Sequence, residues 1–287
     1  MPMIRLKKRK KTFVLVVPSF EDIFNAFYAG EIIKGASIAA SRLKIDILIH
    51  ITDRFDHRGW LDATLLDRRY IDGIIFGDID NDIKVVEKAI TRGIPTIVLN
   101  NYLGEPINCV AIDNRKASHD VVRHLVKLGH RTIATIAGDQ STQAGKMRLE
   151  GFQEALTEAG IVTPSEYIVY GDFLRTPAAA AAAKLLKLKE RPTAVFAASD
   201  VMALELMDVA RAQGLNIPED ISVVGFDDNP LNANSSVRLT TVAQPLVEMG
   251  RLGVEHLKQI SNAETALPFK LMLPAKFIAR ASTGPAA

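Results

Sequence analysis

Polar side chains follow many of the apolar runs of this 287-residue chain at the points where those runs end. They share carboxylate, amide or hydroxyl chemistry, with aromatic rings among them. The set consists of Ser19–Asp22, Asp53-Arg54, Asp78, Asn100-Asn101, Asp139–Thr142, Asp172-Phe173, Ser199-Asp200 and Asp227–Asn229. In open α/β sheets, ligands bind beyond the carboxyl ends of the strands. The mixture favours a polyhydroxylated ligand, because carboxylates and amides bond hydroxyls while rings stack on C–H faces.

The alternative for these residues is structural, because Asp, Asn and Ser also cap helices and turns. For any single residue that interpretation suffices. A set of this size that converges on one cleft favours binding.

Signals for catalysis and metal binding are missing from the sequence. No G-x-G-x-x-G, Walker loop, G-x-S-x-G or H-E-x-x-H motif occurs. His119 and His124 are five residues apart, which places them on different faces of a helix. Cys109 lies in an apolar strand, where cysteine usually packs. We therefore expect no catalytic residue, no metal and no cofactor.

Charge and hydrophobicity restrict the class of protein further. The formal net charge is +2, and the basic excess is concentrated in Lys7–Lys11, a run typical of a solvated tail or linker. A single cysteine rules out an intrachain disulfide. No apolar run approaches a membrane span, and no signal-peptide cleavage site follows Thr12–Pro18. We expect a soluble cytoplasmic protein without a membrane partner.

Short apolar runs alternate with helical patterns along the whole chain. The first half predicts strands and helices at Thr12–Pro18, Asn25–Leu43, Ile45–His50, Trp60–Arg68, Asp72–Phe76, Asp82–Arg92 and Thr96–Leu99. The second half predicts Cys109–Ile112, His119–Leu128, Thr132–Ala137, Gly145–Ala159, Tyr167–Tyr170, Thr176–Leu188, Ala194–Ala198, Val201–Gln213, Ser222–Phe226, Pro245–Ile260 and Lys270–Ile278. Near-continuous Val, Ile and Leu content is typical of strands covered on both faces. The alternation predicts an α/β fold with two doubly wound parallel-sheet units, whose helices end at Gly93, Gly129 and Gly214.

Several motifs, taken in this order over nearly the whole chain, resemble the LacI (lactose-repressor-like) family of regulators and the related periplasmic sugar-binding proteins. They are Asn25–Tyr28, Asp72–Ile75, Asp113-Asn114, Leu128–Arg131, Arg148–Phe152, Ser199–Leu204, Pro218–Asp228, Leu239–Pro245 and Arg280–Thr283. Each is weak alone, and the ordered set is specific.

The resemblance implies a type I periplasmic-binding-protein-like fold with an effector between two subdomains joined by a three-segment hinge. The expected organisation is a basic linker remnant at 1–11, an N-terminal subdomain at 12–111 plus 244–268, and a C-terminal subdomain at 112–243 plus 269–287. The crossing segments would lie near Ala111–Asn114, Val242–Gln244 and Pro268–Leu273.

The same resemblance implies which side chains contact the effector. On the first subdomain they are Asn25, Phe27, Tyr28 and Asn100. On the second they are Arg148, Phe173, Ser199 and Asp227, with Gln244 at the hinge. Arg148 would supply a fork of donors, and Asp227 a paired acceptor for two hydroxyls. Ser199 stands where the family usually has Asn, and Asn100 where sugar-binding relatives often have Asp, so the identity of the sugar stays open.

The function implied is the effector-binding and dimerising core of a transcriptional regulator that senses a small polar metabolite, a sugar or sugar derivative. We expect a homodimer that contacts operator DNA only through a helix-turn-helix domain, which this chain lacks, since it starts at what resembles the end of the linker. The alternative is a substrate-binding protein for sugar uptake, which should have a signal peptide or lipid anchor. An α/β enzyme would need a nucleophile–base pair or a phosphate loop.

Overall fold

The computed structural model describes residues 9–19, 27–53, 67–77, 83–100 and 104–286. The chain divides into two compact units. Unit 1 comprises the residues up to Ala111 together with Leu246–Leu271, and unit 2 comprises Ile112–Pro245 and the residues from Met272 onward. The chain therefore passes from one unit to the other three times, after Ala111, Pro245 and Leu271.

Helices and strands alternate along the described residues. The elements are β1 (Thr12–Ser19), α1 (Phe27–Leu43), β2 (Asp46–Asp53), β3 (Gly73–Phe76), α2 (Ile83–Thr91), β4 (Thr96–Leu99), β5 (Cys109–Ala111), α3 (Asn114–Lys127), β6 (Ile133–Ala137), α4 (Gln143–Glu158), β7 (Ile168–Tyr170), α5 (Arg175–Leu186), β8 (Ala194–Ala197), α6 (Asp200–Ala212), β9 (Ser222–Val224), β10 (Thr241–Ala243), α7 (Leu246–Ser261), β11 (Lys270–Met272) and β12 (Lys276–Ile278). Short 3-10 turns occupy Ser165–Tyr167 and Pro230–Asn234.

The sheet of unit 1 has the strand order β11-β5-β4-β3-β1-β2. Strand β1 pairs in parallel with both β2 and β3, and β4 is parallel to β3 and β5. Residues Phe13 to Val17 of β1 are at most 2% exposed, as expected for a strand covered on both faces. Strand β2 forms one edge of this sheet.

Unit 2 has a four-stranded parallel sheet of order β7-β6-β8-β9 and a two-stranded antiparallel ribbon of β10 and β12. Helices α5 and α6 cover one side of the sheet with an apolar cluster built from residues such as Leu185, Met202 and Leu206. The parallel sheets and their crossover helices confirm the predicted α/β class.

Local sequence signals explain most helix boundaries. The glycines predicted to end helices, Gly93, Gly129 and Gly214, all have positive φ. The predicted start of one helix at His119 is wrong, since α3 begins at Asn114. There the Asp113 carboxylate accepts from the backbone N–H of Lys116 at 2.8 Å and caps the first turn.

The single strand predicted at Lys270–Ile278 is also wrong. Two strands occupy this range, β11 in the sheet of unit 1 and β12 in the ribbon of unit 2. Pro274 lies between them and has no N–H to donate to a ladder, so a continuous strand is interrupted there. The helix predicted at Trp60–Arg68 lies outside the described residues except for its last two positions, which are in a bend and a turn.

Glycines allow two helices of unit 1 to pack with their backbones in contact. A Cβ atom built on Gly35 of α1 would overlap the backbone carbonyl of Val247 on α7, and one on Gly250 would overlap the carbonyl of Ile32. The α1–α7 pair therefore depends on the absence of side chains at these positions.

Candidate functional site

Arg148 is the central cation of a buried polar cluster in unit 2. It lies in α4, and the residue is 3% exposed. Its Nε donates to Oδ1 of Asn114 at 2.8 Å, and its Nη1 donates to the carbonyl of Ala198, just beyond β8, at 2.7 Å. Its Cζ lies 3.7 Å from the centroid of the Phe226 ring. Hydrogen bonds and a cation–π contact thus fix the guanidinium in place.

Asp227 faces this guanidinium from the turn that follows β9. Its Oδ1 lies 3.8 Å from Arg148 Nη1, and its side chain is 17% exposed. Burial raises the pKa of the Asp227 carboxyl to about 7, although Arg148 acts in the opposite direction. The backbone of Asp227 has φ of 126°, a strained conformation for a residue with a side chain. Such a partly accessible carboxylate can accept hydrogen bonds from hydroxyl groups.

Gln244 connects Asp227 to the segment that leaves unit 2. Its Nε2 donates to Asp227 Oδ1 at 2.7 Å, while its Oε1 is buried and has no hydrogen-bond partner among the described residues. The backbone N–H of Asp227 donates to the carbonyl of Val242 in β10 at 2.8 Å. Asp227 is therefore held by both the side chain and the backbone of this segment.

Phe173 adds a ring beside the cluster. Arg148 Cζ is 5.7 Å from its centroid, and the ring lies so close to Gly138 that a Cβ atom there would overlap it. Asp172 and Phe173 both have positive φ, at 53° and 63°. The turn after β7 is thus strained in a way that places an aromatic face next to the charged groups.

Ser199 and Asp200 form the start of α6. The Ser199 hydroxyl accepts from the backbone N–H of Met202 at 3.3 Å, so it caps the helix, and its hydrogen stays available as a donor. Asp200 is fully buried and accepts hydrogen bonds from three groups, described below.

Only some of the predicted site residues lie together in this cluster. Arg148, Asp227 and Gln244 form one bonded cluster, and Phe173 flanks it. In unit 1, Phe27 and Tyr28 begin α1 and Asn100 is buried with φ of 73° after β4, whereas Asn25 lies outside the described residues. Effector contacts remain predictions for all of the predicted site residues, in both units.

Three members of the cluster were not among the predicted site residues: Asn114, Phe226 and Asp200. Asn114 and Phe226 hold Arg148 directly. Both lie inside a family motif, but Arg148 is more than thirty residues away from each of them in sequence, so only the folded chain shows these contacts. The described residues contain no group of three or more His, Cys, Asp or Glu side chains that could hold a metal ion. No helix in the described part of the chain is long and apolar enough to span a membrane.

Comparisons with known proteins agree with this fold. Residues 122–283 match the family model of a periplasmic binding protein-like domain. The HTH-type transcriptional regulator DegA of Bacillus subtilis (strain 168) is 33% identical over 97% of this chain and 82% of its own length. A solved complex of the transcriptional regulator CelR with cellobiose has a TM-score of 0.86 at 31% identity, covering 96% of this chain and 85% of that one. The lac repressor dimer bound to operator and the anti-inducer ONPF has a TM-score of 0.87 at 25% identity, covering 96% and 95%.

A two-unit α/β core with a polar cluster at the carboxyl ends of its strands defines a periplasmic binding protein-like domain. Within that class, the chain belongs to the LacI family of transcriptional regulators. Its relatives are regulators rather than enzymes, and the effector-binding domains of this family are non-catalytic, which confirms the expectation of no catalysis. The comparisons do not favour the alternative of a sugar-uptake protein.

Proposed function

We propose that this chain is the effector-sensing core of its regulator and binds a sugar or sugar derivative at Arg148, Asp227 and Gln244. The observation that carries the proposal is the partly exposed Asp227 carboxylate, which is held 3.8 Å from a guanidinium that is itself fixed by protein groups. A rigid donor–acceptor pair of this kind suits vicinal hydroxyls, each of which donates and accepts. The cellobiose in the CelR complex supports a carbohydrate effector.

The remaining residues of the cluster fit the same ligand class. The Phe173 ring offers a face for the C–H groups of a sugar ring, and the Gln244 carboxamide holds the Asp227 carboxylate through its Nε2. Ser199 is shorter than the asparagine typical of the family, and one lone pair of its hydroxyl caps α6, so it offers an effector one donor and one remaining lone pair in place of a carboxamide. We therefore expect a different hydroxyl pattern from that of relatives with asparagine at this position.

A thermal-shift screen of sugars, polyols, nucleosides and small acids tests this proposal, followed by calorimetry with the best compound. Asp227→Ala should weaken binding about ten- to hundredfold, because ligand hydroxyls lose their acceptor. Arg148→Ala should weaken it at least as much. Asp208→Ala, at an exposed carboxylate paired with Arg211, is the matched control and should bind like the parent. If both site variants bind the compound as tightly as the parent, the proposed anchors are wrong.

We also propose that the core is a homodimer and that a helix-turn-helix domain connects it to operator DNA in the cytoplasm. Large apolar side chains are exposed on α1 and the edge strand β2: Ile38, Leu48, Ile49 and Ile51, at 44–51% exposure. Large exposed apolar side chains on two elements that contact each other are typical of an association surface. The dimeric lac repressor and the HTH-type name of DegA support both partners. Sedimentation at micromolar concentration should show a dimer, and a monomer alone would count against this part of the proposal.

A further inference from the structure

The Asp200 side chain connects three segments of unit 2 without being exposed. The residue is 0% accessible to solvent, so it cannot contact an effector. Its Oδ2 accepts from the backbone N–H of Asn229 at 2.7 Å and from Asn232 Nδ2 at 2.6 Å, and its Oδ1 accepts from the Thr241 hydroxyl at 2.6 Å. One carboxylate thereby joins the start of α6, the turn after β9 and strand β10.

These three segments carry the groups that hold Asp227. The backbone N–H of Asp200 donates to the carbonyl of Phe226 at 2.7 Å, immediately before Asp227. On the other side, the N–H of Asp228 lies 3.4 Å from the Thr241 hydroxyl that Asp200 binds. Asp227 is thus enclosed between two residues that are tied directly or indirectly to Asp200. The strained φ of Asp227 persists only because several surrounding contacts hold the backbone in place.

We propose that Asp200 is a positioning residue of the effector site, which holds the Asp227 carboxylate and the Gln244 carboxamide in their bonded arrangement by fixing the 226–232 turn to β10. The inference rests on the proposed function, because it assigns Asp200 a role in preparing that site. Burying the Asp200 carboxylate is unfavourable, because desolvation raises its pKa. The three groups that donate hydrogen bonds to it oppose this effect. A negative charge at this depth also raises the pKa of Asp227.

An interpretation based only on stability predicts that loss of Asp200 loosens unit 2 uniformly. Three variants separate the two interpretations. Asp200→Ala removes the acceptors. In Asp200→Asn, the carboxamide oxygen can accept from Asn229 and Asn232 while its nitrogen donates to the Thr241 hydroxyl, which can rotate to accept. Leu206→Ala, at a fully buried core position of α6, destabilises the same unit without touching the network.

The experiment is amide hydrogen exchange by NMR on the ligand-free chain, at temperatures that give the variants equal overall stability. In Asp200→Ala, the amides of Asp227 and Asp228 should exchange about tenfold faster or more relative to Leu206→Ala, as expected for a lost buried hydrogen bond. The Gln244 side-chain amide signal should move towards its solvent-exposed position. Asp200→Asn should keep exchange within about threefold of the parent, since the bonds are retained.

A second readout is the pKa of Asp227, followed by carboxyl ¹³C NMR. Asp200→Asn should lower it, because a nearby negative charge is removed while the geometry stays. Equal exchange in Asp200→Ala and Leu206→Ala, or an Asn variant as loose as the Ala variant, would overturn the inference. If these readouts behave as expected but the parent binds none of the screened compounds, the proposed function is wrong. The positioning of Asp227 by Asp200 is then still supported.

Discussion

Buried polar side chains are distributed very unevenly between the two units. Among the described residues, three lie in unit 1, namely Thr52, Thr96 and Asn100, and fifteen lie in unit 2. Those of unit 2 include Arg148, whose side chain is cationic, and Asp200, whose side chain is a carboxylate. Burying charge is costly unless the charged group is compensated, and both of these groups are hydrogen-bonded by the protein. Unit 2 therefore bears a desolvation cost that its α/β fold does not require.

Exposed apolar side chains show the opposite distribution. Seven of the large ones described lie in unit 1 and four in unit 2, and four of the seven are on α1 and β2. We interpret the difference as a difference in role. The buried polar groups of unit 2 serve effector binding, and the exposed apolar groups of unit 1 serve self-association.

The largest effect is expected at the buried cation. Arg148→Ala should lower the free energy of unfolding of unit 2 by about 3–5 kcal/mol, because it leaves Asp227 and the side-chain Oδ1 of Asn114 without their charged partner. Chemical denaturation monitored by circular dichroism measures this. Arg115→Ala removes the same charge from an exposed pair with Glu154 and should cost at most about 1 kcal/mol. Equal losses of unfolding free energy in the two variants would show that the buried Arg148 contributes no more to stability than the exposed Arg115.

Helix packing in unit 1 gives the next largest effect. Gly35→Ala should destabilise unit 1 by about 1–3 kcal/mol, since the added methyl group overlaps the Val247 carbonyl and α1 must move. Gly30→Ala lies in the same helix with no atom within 4 Å of the new Cβ, and should stabilise it by about 0.5–1 kcal/mol. Thermal melting of both variants provides the comparison. A stabilising Gly35→Ala would contradict the close α1–α7 contact.

Much of this fold could be predicted from sequence because its strands are buried on both faces and its helix ends carry glycine. The run at Thr96–Leu99 was located to the residue. The split of Lys270–Ile278 was not predicted, because the choice of sheet partner depends on contacts distant in sequence. Strand β10 is not predicted either, for a different reason: its three residues are too few to give a clear periodicity.

The site was predicted as a set of residue types and not as a network. Family motifs indicated Arg148 and Asp227, but nothing in the sequence pairs Arg148 with Asn114 or Asp200 with Thr241. Ser199 was considered as an effector contact, and its role as a helix cap emerges only from the folded chain. Hydrogen-bond partners of buried groups depend on three-dimensional placement, which periodicity does not encode.

The pH dependence of stability tests the polar side of the comparison with a smaller effect. The pKa of Asp227 is raised to about 7 in the folded chain, so its favourable contribution is complete at low pH and is lost as the pH rises from about 4 to about 7. Asp227→Asn removes this dependence. Its free energy of unfolding relative to the parent should therefore increase by about 2–3 kcal/mol between pH 5 and pH 8. A difference that stays constant over this range would mean that the carboxyl titrates normally.

The smallest effect on folding, and the sharpest test of unit 1, is expected at the edge strand. Ile49→Thr on β2 changes an exposed side chain and keeps β-branching, so the free energy of unfolding should change by no more than about 0.5 kcal/mol. In a twofold dimer the substitution appears twice at a self-complementary surface, and self-association should weaken about tenfold. Sedimentation over a concentration series measures this. Ile90→Thr on α2 makes the same chemical change at 42% exposure, against 48% for Ile49, and should leave association unchanged. If the two variants weaken association equally, or neither does, the surface formed by α1 and β2 is not the association surface. The two units would then differ only in the charged groups that unit 2 buries.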